Sequence, residues 1–516
     1  MVAVVRVIGA GAMGRGIAQV AAAAGVDVEI ADTSAGAVAS AVEFAAAMLR
    51  RSAEKGQRTQ AAAQAAIERI QPIAAPDAPS QSVDLVIEAV IEDASVKREL
   101  LRRIEVALPD AVLASNTSSL SITDMAAALG QPGRLLGMHF FNPVPLMRLV
   151  ELIPGVHTDP RAITVAESFI DRIGYTAVRC RDSPGFLVNH IGRALVTEAF
   201  ALLAEQVAGV EVIDQLARDC IGLKMGPFEL LDLTGLDVSH AVTEIISAGF
   251  YGEPRLRPSP VAALRVAAGL LGRKTGRGFY DHSEERAPEP APPAPDASAV
   301  AVHVVGLEAL AQRLKAAGVT ILEEASAEAV SIVGPIGEPT YRAAQREGLD
   351  TRRTLGIDPL TVDTGRLAVI LSPQTDPALA RRTLAALAAS GVSLGLTTDG
   401  PAPVVQRLVA TIVNLGCAVA ERGIAAPVDI EAAARLGLGY PRGPLALGEL
   451  YGPALIVRIL DGMASYTGDP RYRVSGWLRA HTECGMPLGD IPMTPDQVHR
   501  SASTAPAGKS GTGIDS

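Results

Sequence analysis

The sequence predicts an α/β unit with a parallel sheet, then an all-helical unit, then a degenerate α/β segment and a second helical copy. Three observations carry this. Residues 3–32 run strand, glycine-rich turn, helix and strand, closing on an acid. Beyond Asp182–Phe186 the apolar spacing turns helical and stays so to about Leu271. Near the far end, Gly439–Leu450 (GYPRGPLALGEL) echoes Gly222–Leu233 (GLKMGPFELLDL), the mark of an internal repeat.

Bulk properties set the bounds. A chain of 516 residues exceeds one compact core and implies three or four domains. It is 48% hydrophobic but only 3% aromatic, so its cores are built from Ala, Val, Leu and Ile, which suits α/β layers and helix bundles better than sandwiches. A formal charge of −10 argues against a nucleic-acid coat or a membrane-surface protein. It leaves room for an anionic small ligand, because a few placed cations suffice locally. Cys180, Cys220, Cys417 and Cys484 show no ligand spacing and read as thiols of a reducing compartment. The apolar run Leu408–Ala420 is broken by Asn414 and flanked by Arg407 and Glu421, so no membrane span is expected. The chain enters a strand at Ala3 without a positive leader. A soluble, cytoplasmic protein is expected.

Ala3–Ile8 is the first strand, and Gly9, Gly11 and Gly14 follow it at once, ahead of a helix over Arg15–Ala24. The second strand, Val26–Ala31, ends on Asp32. This is the dinucleotide fingerprint in its required context. Gly9 permits the tight turn, Gly11 lets backbone approach a pyrophosphate, and Gly14 lets helix pack on strand. Asp32 suits two ribose hydroxyls and repels a 2′-phosphate; Thr33 and Ser34 offer no arginine, so NAD is favoured over NADP.

Ala35–Ile70 reads as a helical hairpin with a polar tip at Glu54–Thr59, where Lys55 can meet a phosphate-bearing tail or merely be solvated. Strands follow at Asp84–Ala89 and Val112–Ser115, the first leading to Glu92 and Lys97 at a helix start, the second to Ser115–Ser119. Polar residues past a strand's carboxyl end face ligands in open α/β sheets, although such a cluster also serves as a turn with a helix cap at Thr123. Leu135–His139 and Leu149–Ile153 bracket a turn in which Asn142, Pro143 and Pro145 forbid helix. A strand-turn-strand of this kind brings His139 and Glu151 together, and a carboxylate on one imidazole nitrogen leaves the other free to take a proton. A helix (Pro160–Ile173) and a strand (Thr176–Cys180) complete the unit.

The helical unit closes with Gly272–Tyr280 (GRKTGRGFY), expected to be a flexible basic loop. Ser283–Ser298 is a Pro/Ala linker. Strands at Val302–Val305, Val319–Leu322, Leu367–Leu371 and Val392–Leu396, with helices to Ala317 and over Pro377–Ser390, restore the α/β pattern. Only Gly306 stands where three glycines are needed, so no working nucleotide site is expected there. The expected boundaries are 1–184, 185–282, 283–298 (linker), 299–400, 401–498 and a disordered tail at 499–516.

GAGAMGRGIA, EAVIED…K, SNTSSL, HFFNPVPLMRLVE, DSPGFLVN, GPFELLDLTGLD and GRKTGRGFY together resemble the L-3-hydroxyacyl-CoA dehydrogenases over nearly all of Ala3–Tyr280. The second helical copy, with its YPRGP segment, looks like the long stand-alone bacterial form, which includes enzymes of phenylacetate breakdown acting on 3-hydroxyadipyl-CoA and hydroxybutyryl-CoA relatives. No crotonase-like hydratase segment precedes the dinucleotide unit, so the multifunctional fatty-acid oxidation subunit is not expected.

The resemblance implies a Rossmann-like NAD domain, 6-phosphogluconate-dehydrogenase-like helical units and oxidation of an (S)-3-hydroxyacyl-CoA. It implies His139 as the base, Glu151 as its partner, and Ser118 and Asn189 as hydrogen-bond donors to the substrate. Gly9, Gly11, Met13, Gly14, Asp32, Glu92, Lys97, Asn116, Asn142 and Lys274 are expected to line NAD, and Lys55 and Ser118 to meet the CoA thioester. Met48 stands where some relatives carry serine near CoA. Gln406 takes the place of Asn189 in the second copy, so one active site per chain is expected. The helical copies are expected to pair within the chain or in a homodimer. Arg148 and Arg193 are candidates for an ω-carboxylate. A free hydroxy acid of the L-gulonate type, or a non-catalytic crystallin-type protein, are the alternatives. No metal is expected, since His139 and Glu151 have no third ligand at helical spacing.

Overall fold

The computed structural model describes residues 2–80, 82–283 and 300–492. The expected linker, apart from Ser283, and the expected tail lie outside the described residues. The first unit opens with β1 (Val4–Ile8), α1 (Ala12–Ala23) and β2 (Asp27–Ala31). The hairpin α2 (Ala35–Glu54) and α3 (Gln60–Glu68) follows, its helices started by the Ser34 and Thr59 hydroxyls, which accept from the Ala37 and Ala62 N–H groups. β3 (Ile70–Pro72) returns to the sheet edge. β4 (Leu85–Glu88), α4 (Ala94–Ala107), β5 (Val112–Ser115), α5 (Ile122–Ala126) and β6 (Leu135–Phe140) continue the alternation. β7 (Leu149–Pro154), α6 (Pro160–Arg172) and β8 (Thr176–Arg179) complete it.

The eight strands are ordered β3-β2-β1-β4-β5-β6-β7-β8, and β7 runs antiparallel to β6. β4, β5 and β6 are buried at every residue, as a sheet covered on both faces requires. The parallel strands β1, β2, β4, β5 and β6 therefore deliver their carboxyl ends to one edge. α5 is capped by Ser121, whose hydroxyl accepts from Asp124 N–H; Thr123 lies inside its first turn and accepts from Val156 N–H instead.

The first helical unit comprises α7 (Val188–Ala204), α8 (Val210–Ile221), α9 (Pro227–Thr234), α10 (Leu236–Gly249) and α11 (Pro260–Ala267). The segment Gly272–Tyr280 is an ordered turn rather than the flexible loop expected. Buried Asp232 accepts from the N–H groups of Phe279 and Tyr280 and from His282 Nε2, each at 2.9 Å.

β9 (Val302–Val305), α12 (Glu308–Ala316), β10 (Ile321–Leu322), β11 (Val330–Val333), α13 (Thr340–Arg346), β12 (Thr354–Ile357), β13 (Arg366–Leu371), α14 (Pro377–Ala388) and β14 (Ser393–Thr398) form a second, six-stranded sheet, ordered β10-β9-β11-β12-β13-β14. β11, α13 and β12 escape the sequence reading because two four-residue buried strands flanked by Gly and Pro leave no readable period. α15 (Val404–Glu421), α16 (Pro427–Gly437), α17 (Pro444–Tyr451), α18 (Pro453–Thr467) and α19 (Gly476–Cys484) form the second helical unit. α15 is long and apolar enough to cross a membrane, but 89% of it is buried inside the protein, where it packs along α7.

The helical units repeat at constant sequence separation. Asp214 accepts from the first N–H groups of α9 (Phe228, Glu229), and Glu431 does the same for α17 (Leu445, Ala446). Gly235 and Gly452 share φ near +90° (+89° and +91°), as do Gln206 and Gly423 near +60° (+56° and +59°). The pairing between halves is isologous: Arg181 N–H donates to Ile424 O, and Thr398 N–H donates to Val207 O, both at 2.8 Å. Each helical unit thus packs on the sheet of the other half, as in a two-fold dimer folded into one chain.

Candidate active site

The strand register places the central pair. His139 and Glu151 are direct partners across β6 and β7, with Nδ1 and Oε2 2.5 Å apart. Glu151 is fully buried, and its other oxygen accepts from Leu187 N–H at 2.9 Å and Val188 N–H at 2.7 Å, at the start of α7. One carboxylate thus holds both the imidazole and a helix N-terminus, whose dipole favours negative charge. His139 is 7% exposed, rests against Phe141 and Phe186, and its Nε2 has no partner among the described residues. Asn189 is the second residue of α7, one position beyond the Val188 N–H that Glu151 holds.

The neighbouring loop is organised by carboxylates. Glu92 accepts from the Thr117, Ser118 and Ser119 hydroxyls and from the Ser118 and Ser119 N–H groups. Burial pushes its pKa up, but these bonds and Lys97 outweigh that and hold it below the ordinary value. Asn116 Oδ1 accepts from Phe140 N–H at 2.8 Å, tying this loop to the His139 strand. Lys97 is buried and bridges Glu88 at 2.6 Å and Glu92 at 3.3 Å. Glu88, which the sequence reading passed over, also accepts from Ser115 Oγ. Lys274 pairs with Asp237 of α10 at 2.5 Å.

A cleft of about 830 Å³ opens at the carboxyl ends of β1 and β2, lined by Gly9, Gly11, Met13 and Asp32. Two of the turn's glycines have no room for a side chain: a Cβ at Gly14 would lie 1.7 Å from Gly9 O, and one at Gly9 (φ +103°) would lie 2.4 Å from Ala89 O. Gly11 faces open space. Asp32 accepts from the Ala10 and Ser34 N–H groups; partial burial raises its pKa, and these bonds reverse that to a net lowering. Glycines at the turn, an acid at the second strand end and a cleft of this size fit NAD.

A second cleft, about 750 Å³, lies between the hairpin tip, α1 and the Asn142–Arg148 turn. It carries Arg15, Arg51, Lys55, Arg58, Arg148 and Arg172 and no carboxylate, in a chain whose formal charge is −10. Met48 and Asn142 line it too. Arg51 and Arg58 were missed in the sequence, although three cations within eight residues, Arg51, Lys55 and Arg58, lie at or beside the polar hairpin tip and are a readable signal. Both clefts include Ala12 in their walls.

In the second half the corresponding place is closed. Asp358, just past the end of β12 and at the place that His139 takes near the end of β6, accepts from Gln406 Nε2 at 3.0 Å. Gln406 also donates to Pro335 O and accepts from Gly337 N–H, and both side chains are fully buried. Opposite Asp358 stands Ala368, where Glu151 stands opposite His139.

Residues 4–183 match the model of the 3-hydroxyacyl-CoA dehydrogenase NAD-binding domain, and residues 185–282 and 404–487 both match that of the 3-hydroxyacyl-CoA dehydrogenase C-terminal domain. The chain is 36% identical over 484 residues to a 3-hydroxyadipyl-CoA dehydrogenase of Escherichia coli, covering 92% of this chain and 96% of that one. A 3-hydroxybutyryl-CoA dehydrogenase of Bradyrhizobium diazoefficiens is 42% identical over 280 residues, 54% of this chain and 94% of its own length. Among solved structures, a 3-hydroxybutyryl-CoA dehydrogenase from Escherichia coli superposes with a TM-score of 0.84 at 33% identity, covering 94% of this chain and 99% of that chain.

Proposed function

The chain belongs to the 3-hydroxyacyl-CoA dehydrogenase family, and from that premise we propose that it oxidises (S)-3-hydroxyacyl-CoA thioesters at His139, reversibly and with NAD. The observation that carries this is the His139–Glu151 pair, with Nε2 unpartnered among the described residues, in a unit that also carries a cleft fitting NAD and a basic cleft. NAD, when bound, supplies the hydride acceptor.

Glu151 holds the Nδ1–H tautomer, so Nε2 takes the proton of the 3-hydroxyl as the carbonyl forms. The same carboxylate supports the imidazolium that results, and it does not drift, because the Leu187 and Val188 N–H groups hold its other oxygen. Ser118, fixed by Glu92, and Asn189, whose side chain makes no hydrogen bond among the described residues, orient the substrate oxygen. Lys55, Arg51, Arg58 and Arg148 receive the phosphates of CoA. A free hydroxy acid would leave that basic cleft without purpose, which weighs against the gulonate-type alternative.

The names of the relatives, a 3-hydroxyadipyl-CoA and a 3-hydroxybutyryl-CoA dehydrogenase, support a short acyl chain as substrate, in fatty-acid or phenylacetate catabolism. The isologous packing of the two halves takes the place of a partner subunit. Cys180, Cys220, Cys417 and Cys484 are free thiols, which suits a cytoplasmic location. The test is NADH consumption with acetoacetyl-CoA against free acetoacetate: thioester turnover with little or none on the free acid is expected, and the reverse order overturns the reading.

A further inference from the structure

Six Lys or Arg side chains are buried among the described residues, and five have a carboxylate partner. Arg6 pairs with Glu29, Lys97 with Glu88, Arg255 with Glu253, Arg366 with Asp219 and Arg407 with Glu198. Arg193, 9% exposed, has none within 4.0 Å among the described residues. Its Nε donates to Asn189 O at 3.1 Å, and its Nη1 donates to Ser239 O at 3.1 Å and Thr243 Oγ1 at 2.8 Å. All three acceptors are neutral, and Nη2 donates to nothing among the described residues. Burial pulls its pKa down to about 10, the mark of a cation short of compensating charge.

The fold does not require this cation. At the equivalent places of the second helical copy, Ala410, Ile456 and Leu460 replace Arg193, Ser239 and Thr243, and all three are fully buried apolar residues. The polar cluster belongs only to the copy that adjoins His139. Arg193 lies one turn beyond Asn189, and its side chain folds back toward it. One turn is about 6 Å, roughly the span from a 3-hydroxyl to a carboxylate that ends a six-carbon chain. The start of α7 is walled by the second copy: Leu438 packs on Gly192 and Val188 on Gly437.

Resting on the dehydrogenase reading, we propose that Arg193, on the stretch of α7 walled by Leu438 of the second helical copy, binds the distal carboxylate of a dicarboxylic 3-hydroxyacyl thioester. The guanidinium gains its missing counter-charge only when such a substrate is present, so dicarboxylic thioesters are preferred over uncharged chains of the same length. The second half of the chain contributes to specificity without a reaction centre of its own.

The test compares NADH oxidation with 3-oxoadipyl-CoA and 3-oxohexanoyl-CoA, equal in carbon number and differing in the terminal carboxylate. The unaltered enzyme is expected to show kcat/KM about tenfold or more higher for the charged chain. In Arg193→Met that ratio collapses toward one through KM for the charged substrate; Arg193→Lys restores part of it. No preference for the charged chain in the unaltered enzyme overturns the proposal without any variant. So does a folded Arg193→Met in which both rates fall and their ratio survives. Failure of the unaltered enzyme to reduce either thioester or acetoacetyl-CoA sinks the dehydrogenase reading itself.

Discussion

Glu151 stands directly across β7 and β6 from His139, so the 2.5 Å contact between carboxylate and imidazole is a consequence of strand pairing. Both residues lie in rigid strands, and neither has to search for the other. Their chemistry depends on a register that the turn between them fixes.

Replacing the base is the most direct test. His139→Gln is expected to lower kcat by about 10² to 10⁴ while NADH affinity stays nearly unchanged. Glu151→Gln keeps an acceptor for the Leu187 and Val188 N–H groups but cannot support the imidazolium, so kcat falls with little change in Tm. Stopped-flow turnover and fluorescence titration of NADH read both. A His139→Gln variant that keeps most of the activity would refute His139 as the base.

Asp32→Ala removes the acceptor for the Ala10 and Ser34 N–H groups and for the ribose. Loss of charged hydrogen bonds of about 1.5–3 kcal/mol corresponds to a roughly 10- to 100-fold rise in KM for NAD. Discrimination against NADP should shrink with it. Steady-state kinetics with the two cofactors decides; an unchanged ratio contradicts the role of Asp32.

Arg407 and Glu198, both fully buried, bolt α15 to α7 at 2.6 Å. Arg407→Met leaves buried Glu198 only the longer contact to Arg471, at 3.7 Å, and the Tyr472 hydroxyl, and is expected to cost about 3 kcal/mol. Arg407→Met combined with Glu198→Gln should recover a good part. Urea unfolding of the single and double variants tests the coupling; equal losses would show that the pair does not act as a unit.

His190 is fully buried against Phe250, neither ring nitrogen has a partner among the described residues, and burial lowers its pKa to about 3. An unfolded histidine titrates near 6.5. The folded state therefore resists protonation, and the stability this group confers is complete above about pH 6.5 and lost as pH falls toward 3. Asp214 and Asp358, raised to about 6 by burial, act in the opposite direction between about 3.8 and 6. The difference between the unaltered protein and His190→Leu isolates the histidine. Between pH 7.5 and 5 the unaltered protein should lose about 2 kcal/mol more. Parallel urea melts at the two pH values check this, and equal losses would remove the assignment.

What the sequence determined by itself is local. Gly9, Gly14 and Asp32 announce a dinucleotide turn because a 30-residue βαβ unit has only one way to place such glycines. The two prolines after Asn142 force a turn that leaves His139 and Glu151 on adjoining strands. The GPFELLDL and GPLALGEL segments reveal the repeat because helix caps and their acids recur with it. Tertiary structure decided the rest, because those facts depend on residues far apart in the chain. Nothing in the sequence around Arg193 shows that it has no carboxylate partner among the described residues, that Leu438 packs on the helix beside it, or that each helical unit packs on the sheet of the opposite half. Compensation of buried charge and packing between halves are sums over distant neighbours, and only the folded chain brings those neighbours together.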